Sequence, residues 1–64
     1  MANNELRRLL LLEEVAEALR LSPRSVQRLV RNEQLAAVQL GRSLRFDPND
    51  VAQFIQRNRK RKLI

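Results

Sequence analysis

One segment in the first half of the chain carries side chains that can read nucleic acid, spaced so that a helix would bring them to one face. At about 100° per residue, Val26, Leu29 and Val30 fall within roughly 100° of one another, and burying them turns the polar side chains outward. Guanidinium and amide groups suit phosphates, guanine O6/N7 and adenine N6/N7 in the major groove. The alternative is a solvated polar face, but no acid lies between Ser22 and Asn32. We therefore expect a DNA-contacting face made of Arg24, Gln27, Arg28 and Arg31.

Two further parts of the chain could contact phosphate. A turn at Gly41, the only glycine, presents Arg42 at its tip, and a cationic tip can enter a minor groove or lie along the backbone. Gly41 itself is expected to serve backbone geometry. The basic tail over 57–64 could bind phosphate, bind an anionic surface or fray. The candidate DNA-contacting set is Ser22, Arg24, Ser25, Gln27, Arg28, Arg31, Gly41, Arg42, Arg45, Arg59, Lys60 and Arg61.

Catalytic or metal chemistry has few candidate residues. The chain has no cysteine and no histidine, which excludes disulfides, redox motifs and Cys/His zinc sites. Glu13 and Glu17 form an i, i+4 carboxylate pair, and such a pair is far more often a solvated helix face than a catalytic dyad. No nucleophile with its base and no Gly-rich phosphate loop is visible. We expect no enzymatic activity, no metal, no cofactor and no small-molecule ligand.

The charge balance favours a polyanionic partner. Lys and Arg number 13 and Asp and Glu number 7, which gives a net charge of +6 over 64 residues and a pI near 11.6. Such an excess favours nucleic acid first and an anionic membrane second. The longest apolar stretch, Leu9–Leu12, falls far short of the roughly 20 residues of a membrane span, and no bulky apolar residue interrupts the tail charges over 57–62. We expect no membrane contact and a cytoplasmic, nucleoid-associated location.

Two helices joined by a short turn are predicted to position the basic face. Apolar residues at i, i+3, i+4 and i+7 from Leu12 predict a first helix that ends near Arg20, with its acids directed away from DNA. Ser22-Pro23 then provides an N-cap and an N1 proline for a second helix, which runs to about residue 32 or 33. Helices joined so closely cross sharply, as in a helix-turn-helix. The first helix buries Leu12, Val15, Ala16 and Leu19 and exposes Glu13, Glu14 and Glu17.

A β-hairpin and a third helix complete the predicted fold. Alternation in Val38-Gln39-Leu40 and Leu44-Arg45-Phe46, around a turn at Gly41-Arg42-Ser43, predicts two strands. Asp47-Pro48-Asn49-Asp50 provides an N-cap, an N1 proline and an acidic N3 for a helix. In the hairpin, Val38, Leu40, Leu44 and Phe46 are expected to face the core, with Gln39 and Arg45 on the other side. In the third helix the buried stripe is Val51, Phe54 and Ile55.

The predicted fold class is mainly α with a small β-hairpin, a winged helix-turn-helix. We expect one domain over 1–64, with a core over about 10–56 and the basic tail over 57–64. The N-terminal segment is ambiguous, because Leu6, Leu9 and Leu10 have helical spacing while a leucine run could equally form a short strand that caps the sheet. At this length, packing alone leaves a slender stability margin.

The ordered set of these segments resembles the excisionase-type, MerR-like winged helix-turn-helix domains of phages, plasmids and integrative elements, over about Leu10 to Phe54. This sequence departs from the family pattern at two caps: Leu11 stands where a Ser or Thr usually caps the first helix, and Arg20 stands where a glycine commonly closes it. Gln27 replaces a frequent aromatic residue, and Leu44 a frequent tryptophan. The matching stretches are 13–19, 21–22, 26–30, Leu35, 38–42 and 45–51.

The resemblance implies that the second helix reads the major groove and that the Gly41-Arg42 hairpin is a wing on the minor groove. It also implies a recombination directionality factor, whose copies bind several sites cooperatively, bend the DNA and help an integrase to excise an element. A small transcription regulator of the same fold is the alternative; an effector-sensing one is disfavoured, because the chain stops about ten residues beyond Phe54. An RNA- or ribosome-associated protein is less favoured, since Phe46 and Phe54 are both assigned to the core and leave no stacking aromatic residue.

Overall fold

The computed structural model describes residues 8–60, in which three α-helices pack with a three-stranded antiparallel sheet. This architecture confirms the fold class predicted from the sequence, a small winged helix-turn-helix. The elements follow the order β1 (Leu10–Leu11), α1 (Leu12–Leu19), α2 (Pro23–Arg31), β2 (Val38–Leu40), β3 (Ser43–Phe46) and α3 (Pro48–Arg57).

The leucine run before α1 forms a strand rather than an extension of the helix. Leu10 pairs with Phe46 and Leu11 pairs with Arg45, which makes β3 the central strand in the order β1-β3-β2. Leu11 is also the N-cap of α1, and its backbone N–H donates to Glu14 Oε1 at 2.8 Å. That bond is one half of a capping box, so a leucine can begin this helix without a side-chain acceptor. Leu6, the other residue of the ambiguous segment, lies outside the described residues.

The turn between α1 and α2 is closed by a residue in the left-handed conformation. Arg20 has φ 59° and ψ 40°, and its N–H donates to the Glu17 carbonyl at 3.1 Å. The Leu21 N–H donates to the Ala16 carbonyl at 2.9 Å. These two bonds form a Schellman motif, which normally has glycine at the left-handed position. The predicted turn is therefore present, with arginine in the place of glycine.

The second helix begins as the sequence predicts and ends slightly earlier. Ser22 is its N-cap, with Oγ accepting from the Ser25 N–H at 3.1 Å, and Pro23 occupies the first turn. The helix ends at Arg31, one or two residues before the predicted end. Glu33 then takes φ 61°, and its N–H donates to the Val30 carbonyl at 3.0 Å, which closes this end in the same left-handed manner.

The hydrophobic core lies between α1, α2, α3 and the inner face of the sheet. The stripe predicted for α1 is confirmed, because Val15 and Ala16 are buried and Leu12 and Leu19 pack against them. In α2, Val26 is fully buried and Leu29 and Val30 pack on the same cluster. This packing turns the polar side of α2 to solvent. The buried residues in the described part are Val15, Ala16, Val26, Leu35, Phe46 and Val51.

The prediction that Val38 and Leu40 share the inner face of the hairpin with Leu44 and Phe46 is wrong. The turn has two residues rather than three, so Leu40 pairs with Ser43 and Val38 pairs with Arg45. Directly paired residues lie on the same face of a sheet, and a one-residue change of register reverses every side chain of a strand. Val38 and Leu40 therefore share the outer face with Arg45, and Leu40 is 51% exposed. Gln39, which was expected on the outer side, pairs with Leu44 and shares its face instead.

The stripe predicted for α3 is correct in two of its three residues. Val51 is buried and Phe54 packs against the core, whereas Ile55 is 42% exposed. On the helical wheel, Phe54 and Ile55 lie on opposite sides of Val51, about 100° apart. The core is on the Phe54 side, so Ile55 is turned toward solvent. Asp47 Oδ1 accepts from the Asn49 N–H at 2.8 Å, which confirms the predicted N-cap.

Candidate nucleic-acid interface

The exposed face of α2 contains all four polar side chains that the sequence assigned to it. Each is exposed, opposite the fully buried Val26. They line one shallow depression of about 390 Å³ on the surface of the helix. The structure thus brings together the three guanidinium groups and the amide of Arg24, Gln27, Arg28 and Arg31.

Three other arginines are engaged in intramolecular hydrogen bonds, in contrast to the arginines of α2. Guanidinium N–H groups donate from Arg45 to the Leu44 carbonyl at 2.9 Å, from Arg57 to the Gln34 carbonyl at 2.9 Å and from Arg59 to Gln56 Oε1 at 3.0 Å. Within residues 8–60, the guanidinium groups of α2 have no such acceptor and no carboxylate partner. Their hydrogen-bonding capacity is directed to solvent, as an anion-binding surface requires.

The two serines at the start of α2 take part in its cap. The Ser22 hydroxyl accepts from the Ser25 N–H and donates to Ser25 Oγ at 3.0 Å. Ser22 is exposed and Ser25 is half-buried. Both hydroxyls lie at the N-terminal end of α2, where free N–H groups and the positive end of the helix dipole favour an anion.

The hairpin turn presents Arg42 beside an exposed Gly41 with φ 63°. Of the two turn residues only Gly41 has a positive φ, which is typical of a type II′ turn and explains the glycine. Arg45 lies further along β3 and is half-buried. Gln27 of α2 lines the same depression as Arg42 and Arg45, a space of about 230 Å³. The wing therefore adjoins the polar face of α2.

Glu13 also lines this depression, which we call the cleft between α2 and the wing, and this position was not predicted from the sequence. The sequence predicts that the acids of α1 point away from DNA; in the structure, Glu13 lines the depression shared by Gln27, Arg42 and Arg45. The cause is β1, since Leu11 pairs with Arg45 and α1 begins at the next residue. A strand assignment for the leucine run would have revealed this proximity from the sequence.

Residues 58–60, the described part of the chain after α3, do not line this cleft. Arg59 and Lys60 are exposed beyond the last turn of α3, and Arg61 lies outside the described residues. Arg57, which the sequence placed in the tail, is the last residue of α3, and its guanidinium holds the loop after α2 through the Gln34 carbonyl. Arg57 is thus a structural contact between two elements.

The described residues contain neither a metal-ligand cluster nor a membrane-spanning helix. Among residues 8–60 there is no group of three or more His, Cys, Asp or Glu side chains placed to hold a metal ion. In the same range, no helix has the length and apolar character needed to cross a membrane.

The three helices, the short α1–α2 turn and the adjoining hairpin define a winged helix-turn-helix protein. A comparison with family models agrees, since the model for the helix-turn-helix domain matches residues 9–59. The chain belongs to the helix-turn-helix domain family, a DNA-binding family that includes excisionase-like domains and is typically non-enzymatic. No curated protein and no solved structure matches the chain. Membership supports binding to specific DNA sequences.

Proposed function

We propose that α2 lies in the major groove of duplex DNA and that the wing contacts the adjacent minor groove or its phosphates. The observation that carries this proposal is the exposed face of α2, on which three arginines flank one glutamine and have no partner among residues 8–60. An α-helix fits the width of the major groove. Arginine can bind guanine O6/N7 with two hydrogen bonds, and glutamine can bind adenine N6/N7 in the same way.

In this proposal the remaining candidate residues hold the protein in register on the backbone. Ser22 and Ser25 meet a phosphate at the N-terminus of α2, where the helix dipole favours a negative charge. Gly41 allows the turn that carries Arg42, and Arg45 is held in place by its bond to the Leu44 carbonyl. The tail residues Arg59, Lys60 and Arg61 add contacts that do not depend on sequence.

We further propose that the protein acts as an excisionase, in the cytoplasm and bound to nucleoid DNA. The family resemblance supports this role, as does the presence of two basic elements that could grip neighbouring grooves. Several copies would bind closely spaced sites cooperatively and bend the DNA, which lets an integrase bridge distant sites. Smooth bending of a 20–30 bp site costs on the order of 1–6 kcal/mol, which contacts from several basic copies could offset.

The DNA-reading role is tested on a duplex selected by the wild-type chain from a random library, with a shuffled duplex as the non-specific reference. Arg28→Ala and Gln27→Ala should each lower the ratio of specific to non-specific affinity, by about 1–3 kcal/mol where the side chain binds a base. Matched controls are Arg59→Ala, which should weaken both duplexes alike, and Gln53→Ala on α3, which should change neither. If Arg59→Ala alters sequence preference while Arg28→Ala and Gln27→Ala leave it intact, α2 is not the recognition element.

The excisionase role is tested with a cognate integrase and a plasmid that carries attachment sites. Excision should require the protein and should decrease with Arg28→Ala. Undiminished excision without the protein, together with altered transcription from a neighbouring promoter when its gene is deleted, would favour a promoter regulator instead.

A further inference from the structure

We propose that Glu13 is a specificity-determining residue, because its carboxylate repels backbone phosphate from the cleft between α2 and the wing. This repulsion weakens binding to DNA in general more than binding to a preferred site. The inference rests on the proposed function and concerns a residue outside the basic set to which DNA contact was assigned.

The position of Glu13 follows from the sheet. Leu11 is paired with Arg45, and α1 begins at Leu12, so the first turn of α1 lies beside the wing strand. Glu13 is exposed and lines the cleft of about 230 Å³ together with Gln27, Arg42 and Arg45. Within residues 8–60 its carboxylate has no ion-pair partner. The carboxylate of Glu13 therefore lies beside the side chains that would contact DNA.

The other two exposed acids of α1 do not share this position. On the helical wheel, Glu13 lies about 110° from the centre of the buried stripe, whereas Glu14 and Glu17 each lie about 150° from it. Glu14 accepts a hydrogen bond from the Leu11 N–H. Glu17 is one helical turn further along the chain and does not line the cleft. The difference between Glu13 and Glu17 gives a matched pair of carboxylates on one helix.

The repulsion should act on non-specific complexes more than on the specific one, because of how the two basic elements would bind. With α2 in the major groove and the wing on the neighbouring minor groove, the phosphate ridge between the grooves crosses the cleft. Arg42 and Arg45 attract that ridge and Glu13 repels it, so only some registers keep phosphates away from the carboxylate. A non-specific complex samples many registers, whereas base contacts from α2 fix one. A repulsive element of this kind raises specificity by penalising the wrong complexes.

The test compares Glu13→Gln with Glu17→Gln in the full chain, on the selected and the shuffled duplex, at about 0.15 M salt. Both variants remove one negative charge and keep the side-chain shape, so any effect of net charge is common to both. For a carboxylate about 7 Å from a phosphate, Glu13→Gln should tighten binding to the shuffled duplex about three- to eightfold. Its affinity for the selected duplex should change less than twofold, so the specificity ratio falls. Glu17→Gln should change either affinity by less than about twofold, because salt screens charges beyond about 8 Å.

The outcomes separate this inference from the proposed function. If the wild-type chain does not bind duplex DNA, the proposed function itself fails. If it binds and Glu13→Gln behaves as Glu17→Gln does, the role of Glu13 is refuted while DNA binding stands. A loss of affinity of Glu13→Gln for the selected duplex alone also refutes the repulsive role, because it indicates an attractive contact. Circular dichroism of both variants checks that each is folded.

Discussion

Replacing Arg20 by glycine should stabilise this domain, because Arg20 adopts a backbone conformation that is costly for any residue with a Cβ atom. At φ 59° and ψ 40° it closes α1 in the left-handed region. That conformation costs a non-glycine residue roughly 1–2 kcal/mol. Glycine removes this strain but loses about 0.5–1 kcal/mol more backbone entropy on folding. Near the middle of both ranges, the net gain expected for Arg20→Gly is about 0.5–1 kcal/mol.

Thermal and urea unfolding followed by circular dichroism measure this gain. For a domain of this size, 1 kcal/mol shifts Tm by about 4–8 °C, so Arg20→Gly should raise Tm by about 2–8 °C. The matched control is Arg20→Ala, which removes the same charge and side chain but keeps the Cβ atom. Arg20→Ala should give no increase. If glycine and alanine at this position are equally stable, the strain assigned to the left-handed turn is absent and the reasoning is wrong.

Three other predictions concern the core, a cap and DNA binding. Phe46→Ala should cost about 3–5 kcal/mol, because Phe46 is fully buried on the central strand of the sheet; in a domain this small, denaturant curves should show a substantial unfolded fraction before any denaturant is added. Ser22→Ala should cost about 1 kcal/mol through loss of the α2 N-cap, whereas Ser22→Gly should cost only a few tenths; equal losses would contradict a capping role. The affinity for duplex DNA should fall with salt with a log–log slope of about −4 to −5, and a slope shallower than about −2 would contradict the basic-face model.

The helices could be predicted from the sequence because their signals are local. Pro23 and Pro48 at first-turn positions, the caps at Ser22 and Asp47, and apolar spacing of 3 and 4 residues each act within one or two turns. The polar face of α2 follows directly, because burying Val26 leaves its opposite side exposed. These features explain why the fold class and the exposure of the candidate face on α2 agree with expectation.

The sheet was harder to predict because its details depend on pairing between distant residues. Whether Ser43 belongs to the turn or to β3 changes the register by one residue, and that single step moved Val38 and Leu40 to the outer face. The pairing of Leu10 with Phe46 joins residues far apart in the chain, so no local pattern could choose between a strand and a helix there. The position of Glu13 in the cleft depends on the same pairing.

The α1–α2 turn links stability to the geometry of the candidate interface. Leu21 donates back to Ala16, and Ser22 caps α2 immediately afterwards, so three consecutive residues, Arg20 to Ser22, fix the angle at which α2 leaves α1. Glycine at position 20 can adopt the same left-handed angles, so it should leave the polar face of α2 in place beside the wing. Stability and DNA binding are therefore separable in this domain. Arg20→Gly should raise Tm without loss of sequence preference, whereas Arg28→Ala should lose preference with little change in Tm, because Arg28 is exposed and has no intramolecular partner in residues 8–60.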